Sequence, residues 1–245
     1  MALSPSGVYV VATHDTGVPL TTLPMPTTSD PQLPQRSWWN AGSLCFVLPI
    51  ENGHRVVVLG AHHSIAKTVA VLGAEALSVI APSHLDVAPE LGAVVVADTA
   101  AVPVADGSAD HVIVLHATAQ RLKMLASEVL RMVKPGGSVL LGAGARRQSR
   151  PGAKLTPRTL RRILPPEHFQ DVRVYSVHPD LEEPRHIVPL DAPAGVRWYL
   201  HSAYVPGKRR EAVAWALLPK SVMRRTLLPA ARAVVARRVA SASPG

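Results

Sequence analysis

His116 is the side chain best placed by the sequence to move a proton. It follows the apolar run His111–Leu115, which reads as a buried strand, so it stands where a strand gives way to a loop. Imidazole titrates near neutral pH, which suits a general base. A loop histidine with no chemical task is the competing reading. His54, His62 and His63 invite a metal reading. Adjacent histidines in a turn seldom point at one ion, however, and no Asp, Glu or Cys stands near them at ligand spacing, so no metal is expected. Neither the G-x-S-x-G elbow of a serine hydrolase nor the G-x-x-x-x-G-K-[ST] phosphate loop occurs.

The elements that would position such residues are legible from Arg55 onward. Val56-Val-Val-Leu-Gly60 is a short continuous apolar run, as a strand buried on both faces should be. Further strand signals follow at Leu77–Ala81, Ala93–Ala97, His111–Leu115 and Ser138–Leu141, with helix signals at Ser64–Leu72 and Ala119–Val133. Strands alternating with helices argue for an α/β, doubly wound parallel sheet. Asp171–Val177 and His186–Leu190 are two further strand signals. In such sheets ligands bind beyond the carboxyl ends of the strands, at the switch in strand order. The loops after Leu59, Ile80, Ala97 and Leu115 are therefore the candidate site.

Three segments are expected. Residues 1–50 form an accessory region: a hairpin from 7–12 and 17–22, an irregular Pro/Thr/Ser-rich linker, and an apolar stretch, Ser37–Leu48, that packs on the next domain. Residues 51–205 form the α/β domain. Residues 206–245 form a basic tail, helical at 211–218 and 229–240. The tail holds nine Lys and Arg against Glu211 alone, so it carries almost all of the net charge of +9. A neutral body with a basic end argues against a nucleic-acid enzyme. The tail reads as a docking helix, or as a contact for a protein partner or an anionic membrane surface. The single cysteine, Cys45, excludes an internal disulfide and a thiolate metal site, and a cytoplasmic setting is expected. No run approaches the ~20 apolar residues of a transmembrane helix, and no signal peptide is evident at the first residues.

The segment Glu128-Val-Leu-Arg-Met-Val-Lys-Pro-Gly-Gly137 resembles the phrase that ends the fourth-strand helix of class I S-adenosylmethionine-dependent methyltransferases, of the methyltransferase type 11 kind. Upstream, Asp98-Thr-Ala-Ala-Val-Pro-Val-Ala-Asp-Gly-Ser-Ala-Asp110 resembles that family's loop around the adenine. The resemblance spans Arg55 to Leu141. It implies a Rossmann-like methyltransferase sheet, closed by Asp171–Val177 and His186–Leu190 as an antiparallel pair, and S-adenosylmethionine as cofactor. It places Gly60, Ala61 and His62 in the first cofactor loop, Ala81 at the ribose, Asp98 and Thr99 at the adenine, and Leu115 and His116 at the active-site rim.

The chain departs from the family's pattern at the first two loops. His62 and Ser64 stand where the second and third glycines of Gly-x-Gly-x-Gly are usual, and Val58 where an acid is usual. Ala81 replaces the acid that accepts the ribose hydroxyls. Losing that charged hydrogen bond is worth roughly 1.5–3 kcal/mol. Two readings follow. One is a methyltransferase for a small-molecule or lipid-like acceptor; the other is a methyltransferase-like pseudoenzyme that serves as a scaffold. Trp198, Tyr199 and Tyr204 either line a pocket or pack against the sheet.

Overall fold

The computed structural model describes residues 9–11, 40–81, 93–96, 102–116, 119–144, 163–192 and 231–240. Nine strands form one mixed sheet. They are β1 (Tyr9–Val11), β2 (Arg55–Leu59), β3 (Glu75–Ile80), β4 (Ala93–Val96), β5 (Ala109–Val114), β6 (Val133–Ala143), β7 (Phe169–His178), β8 (His186–Pro189) and β9 (Ala231–Arg238). Their order is β1-β4-β3-β2-β5-β6-β9-β7-β8. The segment β4-β3-β2-β5-β6 is parallel, while β9 pairs antiparallel with both β6 and β7.

The parallel strands are buried on both faces, which is why they read as unbroken apolar runs. Alternate residues divide between two cores. Val57, Leu59, Val112 and Val114 join Leu122, Leu125, Val129 and Met132 of helix α2 (Ala119–Met132). Val56, Val58, Ile113 and Leu115 face the other way, onto Ile65 and Val69 of α1 (His63–Val71). The 3-10 helix Ala41–Val47 adds Ala41, Leu44 and Cys45 to that second core. The stretch Ser37–Leu48 thus packs on the α/β domain, over its described part, as its apolar content implies.

The Lys134-Pro-Gly-Gly137 turn lies inside β6. The register jumps from Ala109 opposite Val133 to His111 opposite Ser138, so the turn is an irregularity absorbed by the strand. Gly136 has φ of +80°, which favours glycine. A Cβ on Gly137 would stand 2.6 Å from the Asp110 carbonyl oxygen.

One expectation is corrected. Residues 231–238 are not helical: they form β9, an interior strand. Ala231, Ala233, Val234 and Ala236 are buried between β6 and β7, where a pleated backbone supplies ladder bonds on both edges. Spacing alone suits either period in so Ala- and Val-rich a stretch. Arg237 donates to the Gly136 carbonyl at 3.2 Å, and Arg238 to the carbonyls of Leu130 (2.9 Å) and Val133. These arginines therefore engage the domain. Tyr9–Val11 is a strand, yet it pairs with β4 at the sheet edge; the second arm of the expected hairpin, 17–22, lies outside the described residues. So do the linker 24–34, the helix expected at 211–218, and Trp198, Tyr199 and Tyr204. The pair 171–177 and 186–190 does form, as β7 and β8 at the far edge, with β9 between β7 and the parallel strands.

Candidate active site at the carboxyl ends of the strands

Strand order reverses between β2 and β5, and the helices that follow these two strands pack on opposite faces. Both strands end in the candidate loops. Gly60 donates its N–H to the Val79 carbonyl at 2.9 Å, tying the end of β2 to β3. Its φ of +130° turns the chain in a way a side chain rarely permits. His62 then donates its N–H to the Gly60 carbonyl at 3.1 Å, and its own carbonyl accepts the first bonds of α1, from Ile65 and Ala66. Leu115 is buried against α1, and His116 follows it at φ 52°, a left-handed conformation uncommon without glycine.

The structure brings Gly60, Ala61, His62, Leu115 and His116 to one edge, with Ala81 at the end of β3. The rings of His62 and His116 are 5.7 Å apart, centroid to centroid, and tilted by 32°. Burial drives the His62 imidazole down to about 4, and the nearby His116 and Arg121 charges push the same way, so the ring is neutral near pH 7. His62 Nε2 lies 2.8 Å from where a Cβ on Gly60 would stand. His63, by contrast, is the exposed first residue of α1. The imidazole over the Gly60 turn is that of His62. Asp98 and Thr99 lie outside the described residues.

Sequence reasoning missed Glu182. Its Oε1 is 2.8 Å from His116 Nε2. It sits on the loop between β7 and β8, sixty-six positions away in the chain, and no local pattern links it to His116. Sequence reasoning also missed the work of Glu128 and Arg131. Arg131 donates to the carbonyls of Val102 (2.7 Å) and Val104 (2.5 Å), and to the carboxylates of Glu128 (2.8 Å) and Asp106 (2.6 Å). Glu128 accepts the Val102 N–H at 3.1 Å. The Arg131 hydrogen bond, outweighing burial, holds the Glu128 carboxyl below its usual range. This pair fastens the segment leading into β5, the strand that carries His116.

His54 is at the opposite edge, where β2 begins, so it shares no site with His62. Its Nδ1 is 3.0 Å from Nε2 of His111, which is 3% exposed. Asp110 beside them is bonded to Lys134 and accepts the Arg55 N–H at 3.0 Å. Burial pushes the Asp110 carboxyl up, but these bonds and the Lys134 and His54 charges outweigh it and hold it low. No metal-binding cluster of His, Cys, Asp and Glu occurs among the described residues.

Residues 56–141 match the family model for a methyltransferase domain. No curated protein matches the chain. Among solved structures, a S-adenosylmethionine-dependent methyltransferase from Archaeoglobus fulgidus is similar at 17% identity and a TM-score of 0.52, over 80% of this chain and 92% of that one. The geranyl diphosphate C-methyltransferase of Streptomyces coelicolor A3(2) is similar at 15% identity and a TM-score of 0.51, over 81% and 78%. The phosphoethanolamine N-methyltransferase 2 of Haemonchus contortus aligns at 14% identity and a TM-score of 0.49 over 80% of this chain, which spans about half (51%) of that longer one. At these identities the likeness is one of fold. Residues 56–141 therefore match a methyltransferase domain in sequence, and the fold is shared with S-adenosylmethionine-dependent methyltransferases.

Proposed function

We propose that the chain transfers a methyl group from S-adenosylmethionine to a small-molecule or lipid-like acceptor. The observation that carries the reading is the junction of the Gly60 turn and His116 at the switch point of the sheet. The backbone there fits the cofactor: Gly60 presents no Cβ, and its turn opens α1 without a side chain over the strand end. Among the described residues, what stands over Gly60 is the His62 ring, the far end of a flexible side chain that can turn aside. Val58 is fully buried against α1, so an acid there would be costly in this core. Ala81 supplies no acceptor for a ribose. Affinity then rests on backbone contacts and, on the family's pattern, on Asp98 and Thr99.

When bound, the cofactor supplies an electrophilic methyl group on a sulfonium sulfur. The chain's own residues orient the acceptor and exclude water. His116 takes the proton that the acceptor's O–H or N–H loses as its new bond to carbon forms. The Streptomyces relative is named for geranyl diphosphate, which supports a small, lipid-like acceptor here. A cytoplasmic setting agrees with a single buried thiol, Cys45, which burial pushes up to about 12. No described helix is long and apolar enough to cross a membrane. The basic residues of 206–230 lie outside the described residues, and their charge suits a protein partner or an anionic surface.

Calorimetric titration with S-adenosylmethionine and S-adenosylhomocysteine tests the reading. Saturable binding of either below millimolar concentration supports it. The alternative, a methyltransferase-like scaffold without cofactor, prevails if neither ligand binds at millimolar concentration.

A further inference from the structure

We infer that Glu182 is a positioning residue for His116, holding its ring in one tautomer and making Nδ1 the proton-accepting nitrogen of the site. The inference rests on the methyltransferase reading for its purpose. Its geometry stands without it.

The contact is built by packing. Gly142 of β6 has no Cβ, and one placed there would stand 2.5 Å from Leu115 Cδ2 and 3.1 Å from Leu181 Cδ1. Both leucines therefore share one seat over that glycine, and both are buried, at 2% and 0%. Each is followed by a polar residue: His116 after Leu115, Glu182 after Leu181. Seating the leucines side by side brings the next two residues together. The loop is also fixed from within, since Asp180 Oδ1 accepts the N–H groups of Glu182 (3.0 Å) and Glu183 (2.9 Å), an Asx turn. Glu183 is turned to a separate ion pair with Arg185 at 3.6 Å. The carboxylate that meets His116 is thus selected by the turn.

The chemistry follows from donor and acceptor roles. An ionised carboxylate only accepts hydrogen bonds. Nε2 of His116 therefore carries a proton, and in the neutral ring Nδ1 holds the lone pair. A proton taken up at Nδ1 creates an imidazolium whose charge the carboxylate faces directly. This is the role that the buried Asp plays toward His in the serine-protease triad. The other ring near His116, that of His62, is neutral near pH 7 and so does not compete as a cation.

Proton NMR of histidine-labelled protein tests this in the full chain. A downfield ring N–H signal correlated with Nε2, absent from His116→Asn, is expected in the native chain. Glu182→Ala should lose it or speed its exchange with water by about tenfold, the loss of roughly one hydrogen bond. Glu182→Gln, which keeps an acceptor, should retain it, and Glu183→Ala should leave it unchanged. Glu182 is 66% exposed, so the substitutions spare the core. A native His116 protonated on Nδ1, or a signal unaltered in Glu182→Ala, overturns the inference. Parallel titration with S-adenosylhomocysteine separates the two ideas: native protein that shows the Nε2 signal yet binds no ligand keeps the pair and sinks the methyltransferase reading.

Discussion

The imidazole of His62 lies over Gly60, its Nε2 2.8 Å from where a Cβ on that glycine would stand. The ring fills space that a second glycine would leave open at the end of β2. His62→Gly should therefore tighten S-adenosylhomocysteine binding several-fold in calorimetry. His63→Ala should change it little, because that side chain is exposed on α1. Gly60→Ala should weaken both binding and folding, since φ of +130° is costly for any side chain. Weaker binding in His62→Gly would show that the ring is a contact for the ligand.

His111 gives the fold a dependence on pH. Burial, helped by the His54 charge, lowers its imidazole from 6.5 to about 4. The unfolded chain takes up this proton first as pH falls. Stability is thus full above about 6.5 and declines as pH drops toward about 4. The loss from His111 alone is up to roughly 3 kcal/mol. Urea unfolding between pH 4 and 8 reads the slope, and His111→Gln should flatten it while His62 keeps part of it. The groups facing His111 are His54, Asp110 and Lys134. A native slope indifferent to His111→Gln would place the titration elsewhere.

Arg131 should matter more to the fold than its partial exposure suggests. It bonds two backbone carbonyls and two carboxylates at once. Arg131→Ala should cost roughly 2–4 kcal/mol, leaving the Val102 and Val104 carbonyls without this donor and Glu128 without its countercharge. Arg131→Lys should recover only part, because an ammonium cannot span four acceptors in a fork. Thermal unfolding measures both. A Tm unchanged in Arg131→Ala would mean that water replaces the guanidinium at no cost.

The parallel half of the sheet was legible because its strands are buried on both faces and its helices on one, so periodicity and burial coincide. The phrase Glu128 to Gly137 was legible as a resemblance, and the structure shows its physics: an arginine staple followed by two glycines at a crowded irregularity in β6. The candidate cofactor loops were legible in their departures from the family's pattern, at Val58, His62 and Ala81. Glu182 was not legible, because its partner is fixed by two leucines meeting over Gly142, a relation no local spacing records. β9 was misread for a different reason. Alanine, valine and arginine suit a helix as well as a strand, and only the gap between β6 and β7 decides between them.

That decision makes a strong prediction for the end of the chain. Ala231, Ala233, Val234 and Ala236 are fully buried, and β9 supplies ladder partners from Ser138 to Ala143 on one side and from Phe169 to Val177 on the other. A peripheral basic tail could be removed without harm, whereas an interior strand could not. A chain ending at Val205 should therefore be insoluble or lose its cooperative unfolding transition, because β6 and β7 would both be left with open edges. Within the full chain, Val234→Asp should destabilise by roughly 3 kcal/mol or more, as an unpaired acid in the α2-side core. Arg238→Ala should cost about 1–2 kcal/mol, through the lost bonds to the Leu130 and Val133 carbonyls. Circular dichroism melts of these variants decide. A soluble chain ending at Val205 that unfolds cooperatively at the native Tm would return residues 231–238 to the status of an appendage, and with them the case for a membrane-facing or partner-facing tail.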